Sequence, residues 1–210
     1  MRTVIALLCG AIALAGGPQA PEQKRDLTSP AAFTEAAPET YRARFETTVG
    51  AVVILVTRAW APHGADRFYN LVKAGFYDGC RFFRVIPKFA AQFGIHGDPA
   101  VNAAWFKATI PADRARMANI RKRVTFAMVQ NDPASRTTQV FINYGDNSKL
   151  DIDGFAPFGE VTVGMVLAEL FFDKYGEGPD QALILAGGNA FLQKYMPRLD
   201  YIKAAKIMEP

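Results

Sequence analysis

Short runs of β-branched and aromatic residues, each closed by turn residues, recur from Tyr41 to Ile207 and limit the fold more than any other feature. Residues 41–48 alternate: Ala43, Phe45 and Thr47 fall on one face, and Arg42, Arg44 and Glu46 on the other. That is the pattern of a half-buried strand. Residues 51–57 form a continuous apolar run, a more buried strand, and Val49-Gly50 joins the two as a hairpin. Further strand-length runs fall at 81–86, 89–93, 124–128, 139–143, 158–163 and 201–207. Helical spacing is confined to two places. Ala65, Phe68, Leu71 and Val72 follow Pro62 and stop at Gly75, and a second helix is expected over 165–172. Residues 176–197 read as irregular, with a helical turn near 191–195. Many short strands with two helices predict an all-β domain, an antiparallel barrel or sandwich. Periodicity does not decide between the two.

The chain opens with Arg2, an apolar run over 4–15 broken only by Gly10, and then Gly16, Gly17, Pro18, Gln19 and Ala20. This is the layout of a secretory signal peptide over residues 1–20, with Ala13-Leu14-Ala15 as an A-x-A exit and Ala20 as a second cleavage point. The apolar run is shorter than the ~20 residues that span a bilayer. The expectation is export to the periplasm or beyond, with no stable membrane insertion after cleavage. Leu8 precedes Cys9, which does not suit lipidation, so Cys9 is expected to leave with the leader. Residues 21–40 carry Pro21, Pro30 and Pro38 without apolar period and read as a flexible linker; the folded domain is expected over 41–208.

Scarcity narrows the chemistry. The chain has two histidines, His63 and His96, and two cysteines, Cys9 and Cys80. No Cys/His zinc module can be built from these, and at most one disulfide. Without Cys9, Cys80 is a lone thiol expected as a small buried apolar group. Net charge is 24 − 20 = +4, too small an excess to argue for nucleic acid. Arg121-Lys122-Arg123, with Arg114 and Arg116 nearby, reads as a solvated loop rather than a binding stripe. Gly176-Glu177-Gly178 and Gly187-Gly188 lead into no Gly-Lys-[Ser/Thr] and are not phosphate loops. His96, in Gly94-Ile95-His96-Gly97-Asp98, reads as a structural or solvent-facing loop residue. The chemistry is expected to need no metal, no cofactor and no histidine base.

The informative stretch is Phe82-Phe83-Arg84-Val85-Ile86-Pro87-Lys88-Phe89-Ala90-Ala91-Gln92-Phe93-Gly94. By alternation Phe82, Arg84 and Ile86 share a face. A guanidinium in so apolar a strand needs a partner or a role, because it cannot be neutralised. From alternation alone, a structural ion pair or an exposed edge position explains it best. The whole stretch, however, resembles the cyclophilin signature. Further blocks agree in order and spacing: Gly75-Phe76-Tyr77-Asp78-Gly79, Val124-Thr125-Phe126-Ala127-Met128, Thr138-Gln139-Val140-Phe141-Ile142-Asn143, Asp146-Asn147-Ser148-Lys149-Leu150-Asp151 and Phe155-Ala156-Pro157-Phe158-Gly159.

The resemblance covers roughly residues 41–208. It implies an eight-stranded antiparallel closed β-barrel with a helix over each end, and peptidyl-prolyl cis–trans isomerase activity. It also implies proline-containing polypeptides as partners, assistance to the folding of exported proteins, and a monomer. It places the catalytic arginine at Arg84, the proline-pocket aromatics at Phe89 and Phe141, and the pocket leucine at Leu150. The two glutamines fall at Gln92 and Gln139, and the strand that holds substrate backbone at Val129 and Gln130. Phe155 stands where many members have a pocket histidine. Ala90 replaces a methionine, Phe93 interrupts a Gln-Gly-Gly sequence, and Lys149 replaces a tryptophan important for cyclosporin binding. These departures bear on peptide preference and drug affinity and leave the arginine and aromatic floor intact. Two rival readings remain: a cyclophilin-like module that binds proline-containing segments with little turnover, and a barrel that holds a small apolar ligand inside.

Overall fold

A computed structural model describes residues 26–129, 132–178 and 180–208. The expected leader over 1–20 lies outside the described residues, as does Gln130. In chain order the elements are β1 (Thr40–Thr47), β2 (Gly50–Thr57), α1 (Pro62–Lys73), β3 (Arg84–Ile86), β4 (Ala90–Phe93), α2 (Pro99–Trp105) and β5 (Arg123–Phe126). There follow β6 (Val140–Asn143), α3 (Lys149–Ile152), β7 (Pro157–Val163), α4 (Met165–Ala168), α5 (Gln181–Tyr195) and β8 (Ile202–Ile207). The eight strands coincide with the eight apolar runs of the sequence, because alternation with turn punctuation is a local signal.

The strands form one antiparallel sheet in the order β3-β4-β6-β5-β7-β2-β1-β8. The sheet curls, but it is less closed than expected. Edge strands β3 and β8 do not pair as a ladder. The seam is made just upstream of β3, by a single bridge between Arg81 and Tyr201. Backbone bonds from Phe82 to Asp200, Gly79 to Ile202 and Ile202 to Cys80 flank it. The reason lies in the chain direction: Phe82 and Val85 both enter the main core, so strand parity shifts between them. Phe82 stacks on Phe171 at 3.8 Å and therefore does not share a face with Arg84.

Aromatic rings fill the core. Phe68 on α1 packs on Phe158 at 4.8 Å and Phe45 at 5.9 Å, and Phe93 packs on Phe45, Tyr77 and Phe82. Phe126 meets Phe158 at 5.1 Å. These rings occupy the space that an internal apolar ligand would need. Cys80 is buried beneath them and unpaired, and burial pushes its thiol well above its ordinary range. A buried ion pair supports the start of α1. Asp113 accepts from the His63 and Gly64 N–H groups, at 3.0 and 2.8 Å, and pairs with Arg136 at 2.9 Å. Arg136 also donates to the Pro133 and Pro111 carbonyls, so its charge is compensated although the side chain is 2% exposed.

Helices depart from expectation more than strands. The helix expected over 165–172 is only the single turn α4, the helical turn expected near 191–195 is the end of the much longer α5, and α2 and α3 were not expected. Asp98 caps α2 by accepting from Ala100 N, with Pro99 in its first turn. α5 runs through the stretch read as irregular. Its buried residues Ile184, Gly188 and Leu192 share one face at i, i+4, i+8, but one is a glycine and the adjacent Leu183 and Leu185 are also apolar, so the face has little contrast; the helix kinks at Gly188. A Cβ at Gly188, where φ is +56°, would sit 2.2 Å from the Gly97 carbonyl oxygen. Glycine is required there because α5 lies directly on that loop, where Asn189 N donates to the same carbonyl at 2.9 Å. α5 thereby covers a second small core of Phe83, Ile95, Ile184, Leu192 and Leu199.

Residues 26–39 also differ from the flexible linker expected. Phe33 and Ala37 are buried in the main core, and Phe33 packs on Trp105 at 5.3 Å. Trp105 Nε1 donates to the Leu27 carbonyl at 2.7 Å, and Asn70 exchanges two hydrogen bonds with the Glu35 backbone. Single anchors without period leave no pattern in a sequence. Phe33→Ala is expected to cost about 3 kcal/mol in urea unfolding, at the low end for a buried phenylalanine. An unchanged midpoint would show that the segment is not docked.

Candidate active site

The pairing register assembles the site. Arg84 on β3 lies opposite Gln92 on β4, and Gln92 lies opposite Phe141 on β6. Neighbouring residues Val85, Ala91, Phe93, Val140 and Ile142 enter the core, so the row Arg84–Gln92–Phe141 faces the other way. Gln139, two residues before Phe141, shares that outer face, and Gln92 Nε2 donates to its Oε1 at 2.8 Å.

This outer face floors a cleft of about 270 Å³. Arg84, Phe89, Gln92, Val129, Gln139, Phe141, Leu150 and Phe155 all line it, so every described residue singled out from the sequence converges here. Gln130 lies outside the described residues. Ala127, Met128, Ser135, Thr137 and Gln181 complete the lining and were not singled out. Drug-sized pockets run to roughly 300–1,000 Å³, so this cleft suits one ring and its flanking amide. Phe141 and Phe155 meet edge to face at 5.8 Å, and the Arg84 guanidinium lies over the Phe89 ring at 5.2 Å. The cation is held at the lip of an apolar socket, with its side chain 26% exposed. Arg84 Nη2 also donates to Glu177 Oε1 at 2.5 Å.

Val129 reaches the cleft differently from expectation. Its side chain is exposed, while its N–H donates to Ser135 Oγ at 2.7 Å and its carbonyl accepts from Asp132 N at 2.9 Å. Its backbone groups are thus engaged by Ser135 and Asp132. Arg136 Nε in turn donates to the Pro133 carbonyl.

A buried asparagine network holds the loops that carry the aromatics. Asn147 Nδ2 donates to the Phe89 carbonyl at 2.8 Å and to Asn143 Oδ1 at 2.7 Å. Asn119 Nδ2 donates to Asp151 Oδ1 at 2.7 Å and to the Phe155 carbonyl at 2.9 Å. Asn119 Oδ1 accepts from Thr125 Oγ1 and Asn143 Nδ2. One network therefore ties Phe89, Leu150 and Phe155 to strands β5 and β6. Sequence reasoning missed it; the only available signal was an asparagine, Asn143, ending an apolar strand.

The remaining polar candidates are structural. His96 packs on Phe76 at 5.1 Å, accepts from Asp98 N, and is held below its ordinary pKa by burial. Arg121 pairs with Glu169 and Arg123 with Glu160. Among the described residues no cluster of three or more His, Cys, Asp or Glu is placed to hold a metal.

With fold and cleft in place, residues 42–176 match the family model "Cyclophilin type peptidyl-prolyl cis-trans isomerase/CLD". The chain belongs to the cyclophilin-type peptidyl-prolyl cis–trans isomerase family. It is 34% identical over 132 residues to peptidyl-prolyl cis-trans isomerase A of Dickeya dadantii, covering 59% of this chain and 66% of that one. It is 35% identical over 124 residues to a peptidyl-prolyl cis-trans isomerase of Acinetobacter baylyi, covering 57% and 65%. The matched region thus spans just under two thirds of the length of these two relatives. A cyclophilin-type isomerase of Cryptosporidium parvum, crystallised in the presence of the dipeptide Ala-Pro, superposes with a TM-score of 0.59. That likeness, at 18% identity over 80% of this chain and 99% of the other, is one of fold.

Asn119→Ala removes partners from Asp151, Thr125, Asn143 and the Phe155 carbonyl together. A loss of about 2–3 kcal/mol in denaturant unfolding is expected, the scale for stranding buried polar groups. A loss below 0.5 kcal/mol, the range of an ordinary surface substitution, would show that the network does not hold the cleft loops.

Proposed function

We propose that this chain catalyses cis–trans isomerisation of X-Pro peptide bonds in proline-containing polypeptides. The observation that carries the reading is Arg84 held over Phe89 at the lip of a socket lined by Phe141, Leu150 and Phe155. An X-Pro bond has a small cis–trans gap and a barrier of ~18–20 kcal/mol. The barrier exists because the nitrogen lone pair is delocalised into the carbonyl. In the twisted state the nitrogen is pyramidal and more basic, so a guanidinium N–H bonds it more strongly than it bonds the planar amide. That difference is catalysis by selective binding of the transition state. No proton transfer, nucleophile or metal is required.

The socket holds the proline ring while the acyl side turns. Gln139 accepts from Gln92, which leaves the Gln139 amide N–H groups to meet a substrate carbonyl. The cleft lies on the outer face of the sheet and is open to a polypeptide. The Cryptosporidium structure with Ala-Pro supports a proline-containing ligand for this fold. Arg84→Ala is expected to lower kcat/KM for a short proline peptide by about 10²–10³-fold, the scale for removing one transition-state donor. Equal rates for the two proteins would overturn the mechanism. A protein that binds such peptides but leaves their exchange rate unchanged would be a binding module instead.

The reading extends to the setting. The basic start, apolar middle and A-x-A exit of residues 1–20 support export, and so a role in folding exported proteins. Expressed with its leader in a Gram-negative host, the protein is expected in the periplasmic fraction, with a mass corresponding to cleavage after Ala15 or Ala20. An uncleaved cytoplasmic product would overturn export.

A further inference from the structure

Glu177 lies one residue beyond the stretch that matches the family model, in the turn leading to α5. It nevertheless reaches the cleft, where it meets Arg84 at 2.5 Å. The turn is built locally. Gly176 N donates to the Asp173 carbonyl at 3.0 Å and Gly178 N to the Tyr175 carbonyl at 2.8 Å. Tyr175 packs edge-on against Phe172 at 5.0 Å, and Asp180 caps α5. Gln181, the first residue of α5, lines the cleft. Gln181, which lines the cleft, and Glu177, through its ion pair with Arg84, therefore border the site.

As a prop for stability this ion pair is weak, since the Glu177 side chain is 70% exposed and exposed pairs are heavily screened. Its consequence lies in the cleft. Arg84 is the one charged side chain among the described residues that line it. A guanidinium standing alone among apolar groups attracts carboxylates and binds them by two parallel N–H bonds. A substrate Asp or Glu beside the proline would therefore occupy the donors that the twisted amide needs. Glu177 occupies Nη2 and places a negative charge at that end of the cleft. An incoming carboxylate is repelled, while Arg84 keeps its Nε and Nη1 donors for the amide.

We propose that Glu177 is a specificity-determining residue, an internal counter-ion that keeps acidic residues beside proline away from the Arg84 guanidinium. The chain then prefers proline segments flanked by neutral or basic residues. This rests on Arg84 acting as proposed above.

The test compares the protein with Glu177→Gln on two peptides that differ only in Lys or Glu before the proline. Both kcat/KM and Kd, by NMR titration, are measured. The native protein is expected to favour the Lys peptide, and Glu177→Gln to shrink that ratio about fivefold, the combined factor when an attraction to the Lys peptide and a repulsion of the Glu peptide, each between unit charges about 8 Å apart in water, are both lost. Glu177→Asp is expected to keep the direction of the preference. The same Lys/Glu ratio in the native protein and in Glu177→Gln overturns the proposal. If the native protein turns over neither peptide, the isomerase reading fails, and the Kd ratios alone still decide the role of Glu177.

Discussion

The buried aromatic core governs everything on the outside of the sheet. Phe93 on β4 faces inward onto Phe45, Phe158 on β7 onto Phe68, and Phe126 on β5 onto Phe158. Side chains alternate along a strand, so burying these rings turns Gln92, Thr125 and Phe141 outward. A one-residue slip in β4 would bury Gln92 in place of Phe93, and the cost of an unpaired amide among rings opposes it. The site is thus a by-product of core packing. Its row of Arg84, Gln92 and Phe141 exists because Ala91, Phe93, Val140 and Ile142 fill the other face.

Register alone leaves the loop-borne residues free. Phe89 and Phe155 stand on loops and Leu150 on the single turn α3, where no strand alternation dictates direction. Asn119, Asn143 and Asn147 supply that direction by bonding the Phe89 and Phe155 carbonyls and Asp151 from within the sheet. Buried amides of this kind stabilise little net, but each lost partner is costly, so the set acts together. The buried pair of Asp113 and Arg136 does similar work, joining the start of α1 to the Pro133 carbonyl beside Ser135. An apolar socket is therefore held in shape largely by polar groups behind it.

Legibility divided along the range of the interactions. Strands were legible because alternation and turn residues are local signals, and the motif containing Arg84 named most of the cleft. Helix α2 and all but the last turn of α5 were not, since one is short and the other has a glycine on its buried face, apolar neighbours around it and a kink at Gly188. The docking of Phe33 on Trp105 spans more than seventy residues and leaves no periodic trace. Glu177 was passed over for the same reason. Between two glycines in a polar turn, nothing in its neighbours tells that it meets an arginine 93 residues away.

By itself the sequence determined an all-β domain of eight strands and a family resemblance that placed an arginine among aromatics. Only the tertiary structure decided that the sheet curls without a laddered seam, that Phe33 and Ala37 dock into the core, and that the turn before α5 brings a carboxylate to the guanidinium. The physical reason is common to all three. Pattern records which face of an element seeks burial, but contacts between distant segments depend on how the curled sheet brings its edges, loops and appended helix together in space.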